Sequence, residues 1–592
     1  MLRRKIAGVL LINAFLLPTL TFGQTKIYEA PPELRTKIID EGTKNSQVMK
    51  TLSYLTDVLG PRLTASPGAK KANEWTRDQL TAFGLTNAHL EKWEVTDNTG
   101  KSIPFGRGWT LKRFSAQVDG PIAFPLIAYP KAWSPGTDSL PGKKPGATAV
   151  TAEVVRFNAA NEGELEQYRG KLKGKIVLLG AIREIPARFE APGKRYTDSE
   201  LLALADAPDP NAPRPAANRP AGGPGGPGGP NAGAFQFNAA RFRFLADEGA
   251  AIIMDQARGD GGTMFVQSAT AVQPAPPAGA APATPGQGGA GQVRLYDKAA
   301  RIPIQVSVAA EHFNRMVRMI DAGQNVTATV DVGVEYQDAD PNGYNTIAEI
   351  PGSDKSDEVV MLGGHLDSWH AGTGATDNAA GCAVMMEAVR ILKAIGVTPR
   401  RTIRIGLWTG EEQGLLGSRG YVRQHFGYME GAGGFGGGGG GNNPNATPPK
   451  LVKGPDYDKF SAYFNIDNGT GKIRGIYEQG NDNVRPIFSQ WFQPFRQANW
   501  FPDTKLDMRA GTISLGNTGG TDHQSFDAIG LPGFQFIQDS IEYDTRTHHS
   551  NMDVFDRIQG DDMKQMAIIL ATFVYQAAMM DDKFPKKDNA PR

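Results

Sequence analysis

Histidine and carboxylate residues recur in five short segments of this 592-residue chain, and most of these segments follow apolar runs. The single cysteine, Cys382, excludes an intramolecular disulfide and a cysteine-rich metal site. Nitrogen and oxygen ligands without thiolate suit zinc, with manganese or cobalt as substitutes. The residues concerned are His365, Asp367, Asp377, Glu411, Glu412, Asp467, His548, His549 and Asp553. We therefore expect a metal site built from these side chains.

The number of carboxylates indicates two metal ions rather than one. Two neighbouring cations repel each other, and a shared carboxylate offsets that repulsion. Two metals roughly 3.5–4 Å apart can lower the pKa of a bridging water and polarise a carbonyl oxygen. The adjacent Glu411 and Glu412 can divide the remaining tasks, one as general base and the other as ligand. Asp367, two residues beyond His365, is expected to orient that histidine.

Four motifs resemble those of the co-catalytic dizinc exopeptidases, the family that includes bacterial leucyl aminopeptidases and glutamate carboxypeptidase. The motifs are GGHLDSWHAGTGATDNAAG (363–381), WTGEEQGLLGS (408–418), NIDN (465–468) and HHSNMDVFD (548–556). The HLDSW form is most similar to the carboxypeptidase Q branch. The resemblance extends over Leu34 to about Phe114 and over Asn345 to Asp581.

The resemblance implies a role for each motif residue. The ligands that it implies for two Zn²⁺ per chain are His365, Asp377, Glu412, Asp467 and His549. Asp377 would bridge the two ions, and Glu411 would be the general base. Asp367, behind the histidine ligand, is counted with Glu411 among the catalytic residues.

The last ligand is a choice between two adjacent histidines. The family's pattern sets an aspartate four residues after its ligand, and Asp553 satisfies this spacing for His549. His548 is the alternative. The family often has Asp-Thr at this point, whereas this chain has Asp553-Val554.

Two further sites have roles that the sequence leaves open. His370 lies where carboxypeptidase Q-like sequences more often have an acidic residue. The stretch GGTDHQSF (519–526) resembles a second family motif, in which Asp522 or His523 would line the substrate site. A plain loop is the alternative for that stretch.

The activity implied by the resemblance is hydrolysis of terminal peptide bonds through a hydroxide that bridges two metals. Aminopeptidase, carboxypeptidase and dipeptidase action all remain open, because they depend on which terminal charge the pocket recognises. A catalytically silent binding ectodomain on the same fold is a competing hypothesis. Aminoacyl cyclotransferase activity is another, but it uses one metal, and the full ligand set disfavours it.

The elements that must position these residues form an α/β pattern. Glu358–Gly363, Thr402–Trp408 and Ser461–Ile466 are predicted strands, and Asn378–Ile395 is a predicted helix. Alternating strands and helices predict a mostly parallel central sheet flanked by helices, with ligands at the carboxyl ends of the strands. Towards the N-terminus, the segment from about Ile39 to Val95 has helical patterning with a stop at Gly60-Pro61. A second helix is predicted around Ala69 to Phe83, ending at Gly84.

The chain divides into four predicted parts: 1–23 signal peptide, 24–119 first part of the peptidase domain, 120–335 insertion, and 336–592 catalytic part. In the insertion, GKLKGKIVLLG and DEGAAIIM resemble a β-rich protease-associated domain, which implies a lid or substrate-selecting element. Three low-complexity tracts are predicted to be exposed loops. They are Ala207–Ala234, Gln273–Gln292 and Gly431–Pro449.

The N-terminus predicts export. Three basic residues precede the apolar run Ile6 to Phe22, which is typical of a cleaved signal peptide, with an uncleaved anchor as the alternative. We therefore expect a periplasmic or secreted protein without a stable membrane anchor. A net charge of +1 disfavours nucleic-acid binding. The expected partner is a peptide substrate, and a homodimer remains open.

Overall fold

The computed structural model describes residues 26–96, 101–141, 148–210, 232–275, 293–431, 449–496, 505–588 and 590. The predicted signal peptide and most of the three low-complexity tracts lie outside these ranges. No helix among the described residues is both long enough and apolar enough to span a membrane.

Eleven α-helices are present in the described ranges. They are α1 Pro32–Lys44, α2 Val48–Ser53, α3 Pro67–Ala82, α4 Asp198–Ala205, α5 Ala232–Asp247, α6 Ala310–Asp321, α7 Ala380–Ala394, α8 Leu416–His425, α9 Arg485–Phe492, α10 His523–Asp527 and α11 Gly560–Met579.

The strands of the same ranges fall into a group before residue 340 and a group after it. The first group is β1 Thr86–Trp93, β2 Val95–Thr96, β3 Ser102–Ile103, β4 Gly108–Gly120, β5 Phe124–Pro125, β6 Ala128–Pro130, β7 Val150–Phe157, β8 Ile176–Leu179, β9 Ile252–Gln256, β10 Gln305–Val308 and β11 Thr327–Gln337. The second group is β12 Gly343–Ile350, β13 Lys355–His365, β14 Arg401–Trp408, β15 Gly427–Glu430, β16 Lys450–Lys453, β17 Phe460–Asn465, β18 Ile473–Tyr477, β19 Thr512–Ser514 and β20 Gly533–Gln538.

The first sheet has the strand order β1-β12-β14-β13-β17-β20-β18-β19. Its centre, β14-β13-β17-β20, is parallel, while β1, β12 and β18 pair antiparallel with their neighbours towards the centre. The expected α/β fold with a parallel central sheet is therefore confirmed, and the predicted strands correspond to β13, β14 and β17.

Helices cover both faces of the first sheet. Because successive strand residues point to opposite faces, Val360 and Leu362 of β13 pack in the core cluster that contains α7 and α11. Val359 and Met361 pack in the opposite cluster with residues of α8 and α10. Helix α7 packs against the sheet, against α11 beside it and against α1 and α2, and every residue from Ala380 to Leu392 is buried.

The second predicted helix, around Ala69 to Phe83, corresponds to α3, whereas the helical patterning extended to Val95 is wrong beyond Gly84. Thr86–Trp93 forms β1, which pairs antiparallel with β12 at the edge of the first sheet. Charged and polar side chains are common on edge strands because one strand edge and one face remain in water. Glu91 and Lys92 fit this position, and their presence obscures the strand pattern.

The second sheet has the order β5-β4-β11-β7-β8-β9-β10-β6. The strands β7-β8-β9-β10 are parallel, and the pairings on either side are antiparallel. Residues of α6 pack against one face and residues of α5 against the other. Gly120, where we placed the domain boundary, is the last residue of β4. The identification of this part as a protease-associated domain stays a prediction.

Candidate metal centre

Three adjacent parallel strands of the first sheet end beside one another and carry the predicted site residues. His365 is the last residue of β13, Asp467 lies two residues after β17, and Glu411 lies three residues after β14. Between β14 and Glu411, Gly410 has a φ of +76°, and a Cβ there would lie 2.9 Å from the Trp93 ring. This glycine therefore allows the tight turn that brings the glutamate pair back over the strand ends.

Asp377 lies between two histidines and offers one carboxylate oxygen to each. Its Oδ1 is 3.1 Å from Nε2 of His365, and its Oδ2 is 3.2 Å from Nε2 of His549. The residue precedes α7 and has φ −130° and ψ 89°, so its side chain is presented ahead of the helix rather than along it. A carboxylate whose two oxygens face two different histidines is placed to bridge two metal ions.

Each histidine also contacts a second carboxylate. Oδ1 of Asp467 lies 3.2 Å from Nε2 of His365, and Oε2 of Glu412 lies 2.9 Å from Nε2 of His549. The five side chains thus form two groups of three that share Asp377. Each group has the nitrogen and oxygen donors of a zinc site with an open position.

The other members of the predicted site lie at the margin of these two groups. Oε2 of Glu411 is 4.0 Å from Nε2 of His365, farther than Asp377 or Asp467. Nε2 of His548 is 3.8 Å from Asp377 Oδ2, and the His548 ring stacks on Tyr543 with centroids 4.6 Å apart. His549 is thus closer to the shared carboxylate than His548.

The two groups contain three carboxylates and two histidines, so acidic side chains are in excess. Oδ2 of Asp377 and Oε1 of Glu412 are buried and have no hydrogen-bond partner among the described residues. Burial, together with the charge of Asp377, raises the pKa of Glu412 well above its usual value. Burial also raises the pKa of Asp467. A divalent cation between such carboxylates would supply the missing charge, so the residues present fit zinc.

The pKa values of His365 and His549 are shifted in opposite directions. Burial disfavours the charged form of His365, but the charges of Asp467 and Glu411 outweigh it and raise the pKa of His365 well above the ordinary value. Burial lowers the pKa of His549. For Asp377, burial is outweighed by the hydrogen bond with His365 and the charge of His549, and its pKa is lowered.

Asp367 holds the loop of the glutamate pair. Its carboxylate accepts hydrogen bonds from the Thr64 hydroxyl (2.8 Å) and from the backbone N–H groups of Glu411 (3.3 Å) and Glu412 (3.4 Å). Nδ1 of His365 lies 3.0 Å from the Asp367 carbonyl and 3.5 Å from its carboxylate. Asp367 is therefore placed to orient the histidine and both glutamates.

Asp553 holds the segment that carries Asp377. Its carboxylate accepts hydrogen bonds from the backbone N–H groups of Thr376 (2.5 Å) and Asp377 (3.2 Å). Burial and the charge of Asp377 raise the pKa of Asp553 to about 7. Asp553, which the sequence singled out by its position four residues after His549, thus fixes the backbone of the shared carboxylate Asp377.

Arg62, whose role was not predicted from the sequence, fixes the same segment from the N-terminal part of the chain. Its buried guanidinium donates hydrogen bonds to the carbonyls of Leu366 (2.7 Å), Thr373 (2.8 Å) and Gly374 (2.7 Å). These bonds hold both ends of the loop between His365 and Asp377.

The second sheet contributes a contact to the metal centre that was also not predicted. The side-chain amide of Gln267 lies 2.9 Å from Nδ1 of His549. Next to it, the backbone N–H of Val266 donates to the His549 carbonyl at 2.9 Å, and that of Met264 donates to the Asn551 side chain at 2.8 Å. The segment before β10 therefore holds the loop that carries His549.

His370, Asp522 and His523 are buried outside the two histidine groups. Nε2–H of His370 donates to the Pro130 carbonyl at 2.7 Å, and that of His523 donates to the Thr518 carbonyl at 3.1 Å. Burial lowers the pKa of both histidines to about 4. Both carboxylate oxygens of Asp522 are buried without a partner among the described residues, and burial raises its pKa to about 7.

A cavity of about 400 Å³ opens beside the metal centre. Glu412 and Trp369 form its wall on the side of the first sheet, and residues of the second sheet and its loops form the rest. A volume of this size lies within the range of small-molecule pockets. The site therefore combines a cluster of metal-binding side chains with an adjacent space for a ligand.

Comparison with known proteins identifies relatives of the chain. Residues 345–574 match the sequence profile of peptidase family M28. Carboxypeptidase Q of Mus musculus is 24% identical over 546 residues, which cover 92% of this chain and 88% of that protein. Leupeptin-inactivating enzyme 1 of Streptomyces exfoliatus is 44% identical over 80 residues, which cover 14% of this chain and 18% of that protein. The resemblance found in the motifs is thus confirmed.

The fold also has a counterpart among solved structures. A peptidase M28 precursor from Shewanella amazonensis SB2B superposes with a TM-score of 0.56 at 20% sequence identity. The superposition covers 93% of this chain and 98% of that one. The similarity therefore extends over both sheets, beyond the segment that matches the family profile.

Proposed function

Since residues 345–574 match the sequence profile of peptidase family M28, we propose that the chain is an exported zinc exopeptidase that hydrolyses terminal peptide bonds at a two-metal centre. Carboxypeptidase Q, a relative over most of the chain, supports exopeptidase action. The predicted leader supports export, although it lies outside the described residues. The expected substrate is a peptide.

The position of Asp377 carries this proposal. Its two carboxylate oxygens face His365 and His549, and each histidine contacts one further carboxylate. In this proposal His365, Asp467 and Asp377 hold one zinc ion, and His549, Glu412 and Asp377 hold the other. When bound, the two ions would polarise the substrate carbonyl and lower the pKa of the attacking water.

Glu411 is the proposed general base. It lies beside the first group without being the nearest carboxylate to either histidine. Burial, the charge of Asp467 and the charge of Asp522 raise its pKa well above the usual value in the metal-free protein, while His365 opposes this shift. A carboxylate with such a proton affinity can accept a proton from the attacking water and later donate it to the leaving amine.

Asp367 and Asp553 position these groups without touching the reacting atoms. Asp367 accepts hydrogen bonds from the backbone N–H groups of both glutamates, which fixes the loop that carries Glu411 and Glu412. Asp553 accepts the N–H of Asp377 and so fixes the shared ligand. Preorganisation of this kind lowers the cost of assembling the reactive geometry.

The test is hydrolysis of short unblocked peptides by zinc-loaded protein, followed by mass spectrometry. We expect release of terminal residues that a chelator abolishes and added zinc restores, and no cleavage of peptides blocked at both ends. Protein that holds zinc but cleaves no peptide would contradict the proposal and favour a catalytically silent binding protein. Cleavage that persists in metal-free protein would contradict the zinc assignment.

A further inference from the structure

We propose that Arg258, in the loop after β9, is a specificity-determining residue that binds the free α-carboxylate of a short peptide substrate. This proposal rests on the proposed function and adds to it the end of the substrate that the enzyme recognises. In this arrangement the residue that carries the free carboxylate occupies the cavity, and the scissile bond lies at the metal centre.

The cavity joins the metal centre to Arg258. Glu412, a proposed ligand, lines the cavity on one side, and Arg258 lines it from the second sheet. The volume of about 400 Å³ is at the small end of the range for ligand pockets, which favours a short peptide over a long chain. The metal centre and Arg258 are therefore placed to contact neighbouring parts of one small ligand.

The charges in the cavity leave one cation without an anion. Lys131 forms an ion pair with Asp255, and Asp255 also accepts the Ser307 hydroxyl at 2.7 Å. Glu412 is a proposed zinc ligand, so its charge would be matched by the metal when zinc is bound. The guanidinium of Arg258 forms no ion pair with a carboxylate of the described residues. The charge left for a ligand in this cavity is thus positive, which favours an anionic group over an amine.

The geometry of Arg258 suits recognition of a carboxylate. Its guanidinium carbon lies 4.2 Å from the centroid of the Phe265 ring, so the planar group stacks on the ring. Stacking leaves the N–H groups at the edge of the plane available, and two of them can bind a carboxylate side by side. Phe265 therefore acts as a platform that orients the guanidinium.

A second donor in the cavity also lacks a partner. Trp369 lines the cavity and is only 7% exposed, yet its Nε1–H has no hydrogen-bond partner among the described residues. A buried N–H without a partner costs free energy. Because the Nε1 atom itself is buried, a ligand oxygen would reach it only after a small shift of the indole ring. The Trp369 and Phe265 rings also provide apolar surface for the substrate side chain.

The test compares three dipeptides on zinc-loaded protein: Ala-Leu, Ala-Leu amide, and Ala-Asp amide, whose only carboxylate is on the side chain. We expect the wild type to prefer Ala-Leu by about 10- to 100-fold in kcat/KM, mainly through KM, because a charge-assisted hydrogen bond is lost with the amide. Arg258→Gln should lower kcat/KM for Ala-Leu by a similar factor and leave Ala-Leu amide unchanged.

Arg423 offers a matched control, since this exposed arginine of α8 stacks on the Tyr428 ring at 4.0 Å outside the cavity. Arg423→Gln should behave as the wild type. Equal activity on Ala-Leu and its amide, or equal losses on both substrates in Arg258→Gln, would overturn the proposal. A preference for Ala-Asp amide over Ala-Leu amide that depends on Arg258 would also overturn it, because the group recognised would then be an acidic side chain.

A binding measurement separates this proposal from the proposed function. Calorimetry should show that acetyl-leucine binds the wild type more tightly than acetyl-leucinamide, and that Arg258→Gln removes the difference. If this pattern holds in protein that hydrolyses no peptide, the proposed function fails while the carboxylate site stands. If peptides are hydrolysed but acetyl-leucine and its amide bind alike, the carboxylate site fails and the proposed function stands.

Discussion

At the scale of single residues, the two acidic neighbours Glu411 and Glu412 have different surroundings. Oε2 of Glu412 is 2.9 Å from His549, whereas Oε2 of Glu411 is 4.0 Å from His365. The backbone N–H groups of both residues point to the same carboxylate, that of Asp367. One loop thus presents two glutamates with different contacts, which supports a division between base and ligand.

This division predicts different defects when Glu411 or Glu412 is replaced by glutamine. Glu411→Gln should lower turnover by about 10²–10⁴ while zinc content stays near normal, because only the base is lost. Glu412→Gln should instead lower the zinc content, since a ligand is removed. Metal analysis of the purified variants, with turnover on an unblocked dipeptide, checks both statements. Loss of zinc in Glu411→Gln with normal zinc in Glu412→Gln would reverse the assignment.

Gln267 provides a second prediction at this scale. Nε2 of the Gln267 amide lies 2.9 Å from Nδ1 of His549. If zinc binds Nε2 of His549, the neutral ring carries its proton on Nδ1, and the Gln267 amide would turn its oxygen towards that proton to accept it. Outer contacts of this kind typically contribute 10- to 100-fold in metal affinity. Gln267→Ala should therefore weaken one of the two zinc sites by about that factor in a chelator competition assay.

Two variants control this experiment. Gln267→Glu keeps an acceptor beside Nδ1 and should retain tight zinc binding. Gln324→Ala removes an exposed glutamine after α6 and should not change the affinity. Unchanged affinity of both zinc sites in Gln267→Ala would show that the contact with His549 has no influence on the metal.

At the scale of elements, the parallel strands and the residues at their ends could be predicted from sequence. Each of β13, β14 and β17 is an apolar run that ends at a histidine or just before an acidic residue, and parallel strands align their carboxyl ends. The roles of Arg62 and Gln267 could not be predicted in this way. The two residues reach their partners across 304 and 282 positions of sequence, so no local pattern records the contacts.

The junction between β18 and α9 gives a prediction about stability. Burial raises the pKa of Glu478 from 4.5 to about 7, although Arg485 lies 2.6 Å from its Oε2. Between these pH values the folded state keeps a proton that the unfolded state has lost, so stability falls as the pH rises. Glu478→Gln removes the titrating group and should remove this loss, which is at most about 3.5 kcal/mol at about 1.4 kcal/mol per pKa unit.

Urea denaturation of metal-free protein at pH 5 and pH 7.5 measures this effect. The wild type should lose more stability between the two pH values than Glu478→Gln does. Asp482→Asn is the control, because Asp482 also pairs with Arg485 but is largely exposed. Equal pH dependence of the wild type and Glu478→Gln would contradict the assignment.

At the scale of the whole molecule, the site depends on both sheets. The first sheet supplies the strand ends that carry His365, Glu412 and Asp467, and segments of the second sheet hold the loop of His549. The cavity beside the metal centre is lined from both sides. The insertion is thus part of the architecture of the site, which extends the lid-like role expected from the sequence.

Zinc stoichiometry distinguishes a centre of two ions that share Asp377 from a site for a single ion. Titration of metal-free protein with zinc, followed by mass spectrometry of the intact native chain, should give two ions per chain for the wild type. His549→Ala should retain one ion, and Asp377→Ala should retain none with high affinity, since both groups lose a ligand. A wild type that binds a single ion, or an Asp377→Ala variant that still binds two, would contradict the account.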